Sequence, residues 1–208
     1  MHIGRALHGN ALAGVDITES FRASVVLSVS ALDSYVHNLC VEGIIESFAN
    51  ARLRNCYFGE VRVRLIAAEM GLQSGSSNWL EGEVRNLFSR DTFQRPDDIS
   101  KALRFVDDRP KKWARISARL GSTSESAKAQ LNSIVDRRNM IVHEADIDPV
   151  WGGSRSLTPD DTEVAIDFIS RLVAAIDDEC WQAGAQQIAA ADVSPRQPAV
   201  GWVKATRP

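Results

Sequence analysis

Apolar residues recur at three- and four-residue steps along most of this chain, and strict alternation is almost absent. From Thr18 to about Asn50, the residues Phe21, Val25, Leu32, Tyr35, Val36, Leu39, Ile44, Ile45 and Phe48 make one broad face, which predicts a long amphipathic helix. Thr18 is the expected N-cap, with Glu19 in the first turn. Val25 to Val29 has strand-like composition, but no turn signal separates it from the helical run. A second helix is expected over 58–72, stopped by Gly71. The Val61-Arg62-Val63-Arg64 alternation inside it is the one place where a strand competes. Polar Gln73 to Asn78 connects to a helix from about Trp79 to Phe88. Pro96 opens a further segment at a helix N1 position, with Asp97 and Asp98 in its first turn, and Pro110 starts a short helix over 111–120 stopped by Gly121.

The next helix is expected from about residue 125 to 145, capped by Ser122 or Ser124. Asp148-Pro149 breaks the pattern, because a residue before proline is pushed out of the α region. A loop containing Trp151-Gly152-Gly153 leads to Thr158-Pro159-Asp160-Asp161, a strong helix start. The last clear helix then runs to about Trp181. The pattern predicts an all-α protein with no significant sheet and no internal repeat. It divides into an N-terminal arm over 1–17, a helical domain over 18–181 and a flexible C-terminal tail over 182–208.

Composition changes this picture only in part. At 208 residues and 44% hydrophobic, the chain can bury a sizeable core. The net charge of −3 gives no global basic field, so nucleic-acid binding would have to come from local patches. Cys40, Cys56 and Cys180 are scattered and form no Cys-x-x-Cys or Cys/His cluster, which argues against a zinc site or a disulfide framework and fits a reducing cytoplasm. The N-terminus lacks the features of a signal peptide, and no stretch approaches the roughly 18 continuous apolar residues of a membrane helix. The expectation is a cytoplasmic protein without a membrane partner. P-loop, Gly-x-Gly-x-x-Gly, Gly-x-Ser-x-Gly and His-Glu-x-x-His patterns are absent. The acid pairs Asp107-Asp108, Asp160-Asp161 and Asp177-Asp178 read as helix-end or solvated charges, so no metal or cofactor is expected.

The candidate chemistry lies between Ser133 and Asp146. Ile134, Met140 and Ile141 hold helical spacing, Val135 and Val142 widen the face, and His143 falls in or near the last turn. Asn139 and His143, four apart, share a face. Arg138 lies about 140° around the helix from His143, at about 100° per residue. One copy of the helix does not aim both groups at one atom, whereas a second copy from a partner chain brings them together. The plain alternative is a solvated arginine pair and a histidine at a helix C-terminus, where imidazolium favours the negative end of the dipole. Arg137 is a weaker phosphate contact than Arg138, with Asp136 or Glu144 as alternative partners.

The most basic region, Lys101 to Arg119, holds seven basic residues against two acidic ones, with Trp113 inside it. Lys111, Lys112 and Arg115 are candidates for an RNA backbone and Trp113 for a base. An amphipathic helix with Trp113 buried is the preferred reading, because the charge run is short. His37, beside Tyr35 and Val36, reads as a satisfied or exposed histidine, and His2 and His8 receive no role.

Arg138-Asn139, three intervening residues and His143 resemble the motif of the HEPN superfamily. The longer run from Arg137 to Pro149, the Gly-rich loop and Leu157 to Asp177 is similar to the HEPN branch named for its association with RiboL-PSP domains, with weaker support from Ser30 to Leu39. The resemblance implies an all-helical, HEPN-like bundle with additional helices. It implies a metal-independent endoribonuclease, acting as a toxin or defence effector, that works as a homodimer on RNA with an antitoxin or regulatory protein as a further partner. Arg138, Asn139 and His143 would be catalytic; Arg137, Lys111, Lys112 and Arg115 would bind RNA. Some members are instead inactive modules that bind RNA or a protein partner, and a purely structural subunit is a third option. Some HEPN toxins carry a tyrosine, modified by a partner enzyme, two residues after the histidine; Ala145 stands there in this chain.

Overall fold

The computed structural model describes residues 17–49, 54–75 and 78–193, the last 13 without their side chains. Seven α-helices form among them: α1 Thr18–Phe48, α2 Leu65–Ser74, α3 Asn78–Phe88, α4 Pro96–Leu103, α5 Lys112–Arg119, α6 Ser124–Glu144 and α7 Pro159–Val193. A 3₁₀ turn, Phe58–Glu60, precedes α2. No strand forms among the described residues, where a lone antiparallel bridge pairs Ile147 with Ser154. The fold is the all-α bundle that the periodicity predicts.

α1 is the axis of the bundle. It packs on α7, α6, α3 and α4, while α5 sits on α6 and α7. By length and composition alone α1 could cross a membrane. Here its Val25, Val29, Leu32, Val36, Cys40 and Ile44 are buried against Val84, Ile99, Leu131, Leu172 and Ile176 of neighbouring helices. Each such side chain contributes about 1.5–3 kcal/mol relative to exposure. A Cβ on Gly43 would come 2.8 Å from Val106 Cγ2, so this glycine lets the turn after α4 close onto α1. Tyr35 of α1 donates its hydroxyl to Asp177 Oδ1 of α7 at 2.7 Å.

Several boundaries differ from the pattern-based expectation, each for a tertiary or local reason. Val61 to Arg64 is neither helix nor strand. Arg64 is extended and tied to Glu83 of α3, its backbone N–H donating to Oε2 at 2.9 Å. Gly71 does not stop α2. It lies inside the helix because a Cβ there would sit 2.1 Å from the Trp79 indole, and Gly75, at φ +65°, makes the stop. α4 ends at Leu103, so Phe105 and Val106 enter the core from a turn. Ile17, without a side-chain bond, takes the N-cap position expected of Thr18. Thr123, not Ser122 or Ser124, caps α6 by accepting the Ser126 N–H at 3.2 Å. The start of α7 is as expected: Thr158 Oγ1 accepts the Asp161 N–H, and Asp161 Oδ2 accepts the Thr158 N–H, a reciprocal capping box. α7 continues past Trp181 to Val193, because its Ala- and Gln-rich end is a good helix former. The first twelve residues of the expected tail, 182–193, are therefore helical; residues 194–208, and 1–16 of the expected arm, lie outside the described residues.

Candidate functional site

The C-terminal end of α6 is built by an unusual turn. Ala145 and Asp146 both adopt left-handed backbone, at φ +50° and +57°. The Ala145 N–H bonds the Met140 carbonyl, and the Asp146 N–H reaches back to the same carbonyl at 3.0 Å, one residue further than the long bond of a Schellman closure. Non-glycine residues rarely take this conformation, and two in succession need a reason. The Asp146 side chain supplies one. It is completely buried, and its Oδ2 accepts from Arg22 Nε of α1 at 2.9 Å and from Arg137 Nη2 of α6 at 2.8 Å. The same arginines donate to the following loop, Arg22 to the Arg155 carbonyl at 3.0 Å and Arg137 to the Ser156 carbonyl at 2.9 Å. One buried carboxylate thus binds α1, α6 and the α6–α7 loop together.

Arg137 is therefore part of the frame around the site. Its partner is Asp146, neither Asp136 nor Glu144: those two lie against Arg95 and Arg155. Arg138 points elsewhere. It continues the core-facing stripe of Leu131 and Ile134 by one more turn, to where the core opens into a cleft of about 400 Å³ between α1, α3 and α6. Its Nη1 donates to Asn139 Oδ1 at 3.0 Å, and its Nε is buried without a hydrogen-bond partner. Asp33, His37 and Asn38 of α1, Arg85 of α3 and Gln94 line the same cleft.

His143 is exposed in the last turn of α6, and its imidazole makes no hydrogen bond or ion pair with another described residue. It lies about 7.5 Å further along the axis than Arg138 and about 140° around it. The structure thus brings Arg138 and Asn139 together and leaves His143 apart. Val142, beside His143 in the sequence, is exposed, as are Ile147, Val150 and Trp151 of the turn and loop that follow α6, Trp151 at 87%.

The basic region has a different use from a groove lining. Trp113 is buried, and its Nε1 donates to the Pro96 carbonyl at 2.9 Å and to Ser100 Oγ at 2.8 Å. Arg115 Nε donates to Glu179 Oε2 at 2.9 Å, and its Nη2 pairs with Asp107. Arg109 bonds both of these acids, and Arg119 bonds Glu179 and Asp178. These contacts dock α5 on α7. Burial pushes the Asp107 carboxyl up, but the bonds from Arg109 and the charges of Arg109 and Arg115 outweigh it and hold the group below its ordinary range. Burial is likewise outweighed at Glu179 by Arg119, Arg115 and Arg109. Lys112 is half-buried, which pushes its ammonium down, and it donates to the Arg109 carbonyl at 3.3 Å. Lys111 is exposed, in left-handed backbone at φ +57°.

A wider cleft of about 870 Å³ is lined by Arg62, Arg90, Lys101 and Arg104 together with Asp91 and Asp98. Lys101 and Arg104 come from the basic region, but Arg62 and Arg90 join them only through the fold. Among the described residues, no group of three or more His, Cys, Asp or Glu could hold a metal ion.

No curated protein and no solved structure matches the chain. Residues 9–182 match the RiboL-PSP-HEPN family, a span that takes in α1 to α6, α7 as far as residue 182 and the Arg138-Asn139-x-x-x-His143 motif. The chain belongs to the RiboL-PSP-HEPN family.

Proposed function

We propose that this protein is a metal-independent RNA endonuclease whose site is completed by a second copy of the chain. The observation that carries the reading is the division of the motif. Arg138, with an unpartnered Nε, faces a cleft, while His143 stands exposed beyond it, without a partner among the described residues. Two-fold pairing through this end of α6 and the loop that follows it would set the histidine of one subunit against the cleft of the other. The exposed Val150 and Trp151 are suited to such a contact.

The chemistry follows from the residue types. The 2′-hydroxyl attacks the adjacent phosphorus as His143 removes its proton, a task suited to an imidazole. Arg138 neutralises the charge growing on the phosphorane oxygens, because its own charge persists and its donors form a rigid fork. Asn139 holds Arg138 Nη1 in place. The P–O5′ bond breaks and O5′ takes up a proton from a second acid of the site or from water, leaving a 2′,3′-cyclic phosphate and a 5′-hydroxyl. A role as a toxin or defence effector, acting in the cytoplasm under an antitoxin or regulatory protein, follows from such an activity.

One observation favours a second reading. Among the described residues no carboxylate bonds His143, and Arg138 is already engaged by its neighbour, an arrangement that suits an inactive module binding RNA or a protein partner. An RNA cleavage assay in EDTA separates the two. The nuclease reading predicts cleavage by the wild type that is lost in His143→Ala, with cyclic phosphate ends. Recovery of 5′-phosphate ends with strict Mg²⁺ dependence would sink the mechanism. Absence of cleavage by a folded dimer, across transfer, ribosomal and messenger RNA, would favour the binding module.

A further inference from the structure

Opposite Arg138, the wall of its cleft is one face of α1, and that face is prepared. Asp33 is fixed from two sides: the Phe93 N–H donates to Oδ1 at 2.6 Å and Gln94 Nε2 donates to Oδ2 at 3.0 Å. Asp33 Oδ1 also lies 3.6 Å from His37 Nε2, one helical turn on. The His37 ring rests on Phe93, with centroids 4.4 Å apart, and its side chain keeps 26% of its exposure. Asn38 Oδ1 accepts from Arg85 Nη1 at 2.9 Å. An imidazole is thus held between an aromatic ring and an immobilised carboxylate, facing the space that Arg138 enters. A fixed carboxylate one helical turn away helps to orient the imidazole beside it. Arg85 is paired with Glu81 at 2.9 Å, which leaves Arg138 as the guanidinium of the cleft without a carboxylate partner among the described residues and the group suited to a phosphate. The cleft's volume of about 400 Å³ lies within the range of small-ligand sites.

We infer that His37 is a further catalytic residue of this site, the proton donor to the departing O5′ of a ribonucleotide phosphodiester whose phosphate rests on Arg138. The inference deepens the nuclease reading and rests on it. As the O2′–P bond forms, the 2′-hydroxyl proton passes to His143 of the partner subunit. As the P–O5′ bond breaks, O5′ takes a proton from His37 and leaves as a hydroxyl. With Nε2 turned to Asp33, Nδ1 is the nitrogen left to give that proton. One proton is gained at His143 and one lost at His37, and exchange with water resets both. Asp33 acts through His37 and is a positioning residue.

A leaving group that needs no proton tests this role. A diribonucleotide and its analogue with sulfur in place of O5′ are cleaved by wild type, His37→Ala, His37→Gln and His143→Ala. The thiolate departs unprotonated, so both His37 variants are expected to lose about 10²–10⁴-fold on the oxygen substrate, the range of general acid–base catalysis, and to stay within about tenfold of wild type on the sulfur substrate. His143→Ala is expected to fail on both. Equal losses on the two substrates, or no loss on either, would overturn the role of His37 while leaving the nuclease standing. A wild type that cleaves neither substrate would refute the nuclease and the role of His37 together.

Discussion

Replacing Asp146 with asparagine removes one charge and almost nothing else. The side chain keeps its size, and asparagine accepts left-handed backbone as readily as aspartate, so the turn at φ +57° is not strained further. What changes is the environment of two arginines. Arg22 is 6% exposed and Arg137 23%, and both donate to one carboxylate oxygen, whose place the asparagine carbonyl takes, so the acceptor is kept and the charge is lost. Breaking a buried ion pair by removing one partner costs about 3–5 kcal/mol, because the remaining charge stays desolvated. Arg22 keeps Glu19 at 2.7 Å and Arg137 keeps the Ser156 carbonyl, which places the expected loss near the lower end, about 3 kcal/mol. That is a large fraction of the roughly 5–15 kcal/mol stability of a domain. Urea unfolding reads it directly: at a slope of about 2 kcal/mol/M, the midpoint should fall by about 1.5 M. A fall below about 0.3 M with an unchanged slope would refute the claim that Asp146 holds the end of α6, because surface substitutions already account for roughly that much.

Ala145→Gly relieves the other left-handed residue beside His143 and should raise stability by about 0.5–1 kcal/mol, read as a higher midpoint; a lower one would show that Ala145 is not strained. Asp107 and Glu179 have folded pKa values below their ordinary ones, so their contribution is complete above the unfolded values near 4 and is lost as pH falls through the folded values. The stability difference between wild type and Glu179→Gln should therefore narrow as pH falls from 6 to 3, and a difference constant over that range would contradict the assigned network.

The helices were legible because burying one face of each leaves a periodic trace, and Phe21 to Phe48 or Val164 to Ile176 needs no partner to be read. Their limits were set elsewhere. Gly71 reads as a stop, but its role is to admit Trp79, and Val61 to Arg64 is drawn out of the helix by Glu83. The motif was visible because Arg138, Asn139 and His143 fall within one helix. The fate of its neighbours was not. The sequence offers Arg137 a partner on its own helix, Asp136 or Glu144, yet Asp146 reaches it because the chain reverses through two left-handed residues. Arg115 looks like part of a free basic run because Glu179 lies 64 positions away. His37 and Asp33 carried a signal, a four-residue spacing on one helix face, but Phe93, Gln94 and Arg138, which give it chemical meaning, arrive only with the fold.

Subunit complementation tests the composite site most directly. Arg138→Ala and His143→Ala proteins are assayed for RNA cleavage in EDTA, alone and after unfolding and refolding together. In a mixed two-fold dimer, one of the two sites joins an intact Arg138 cleft to an intact His143. The account predicts that each variant is inactive alone and that the mixture recovers about one quarter of wild-type activity, since about half the dimers are mixed and each has one working site. A mixture as inactive as its components, with mixed dimers demonstrated to be present, would contradict a site shared between two chains.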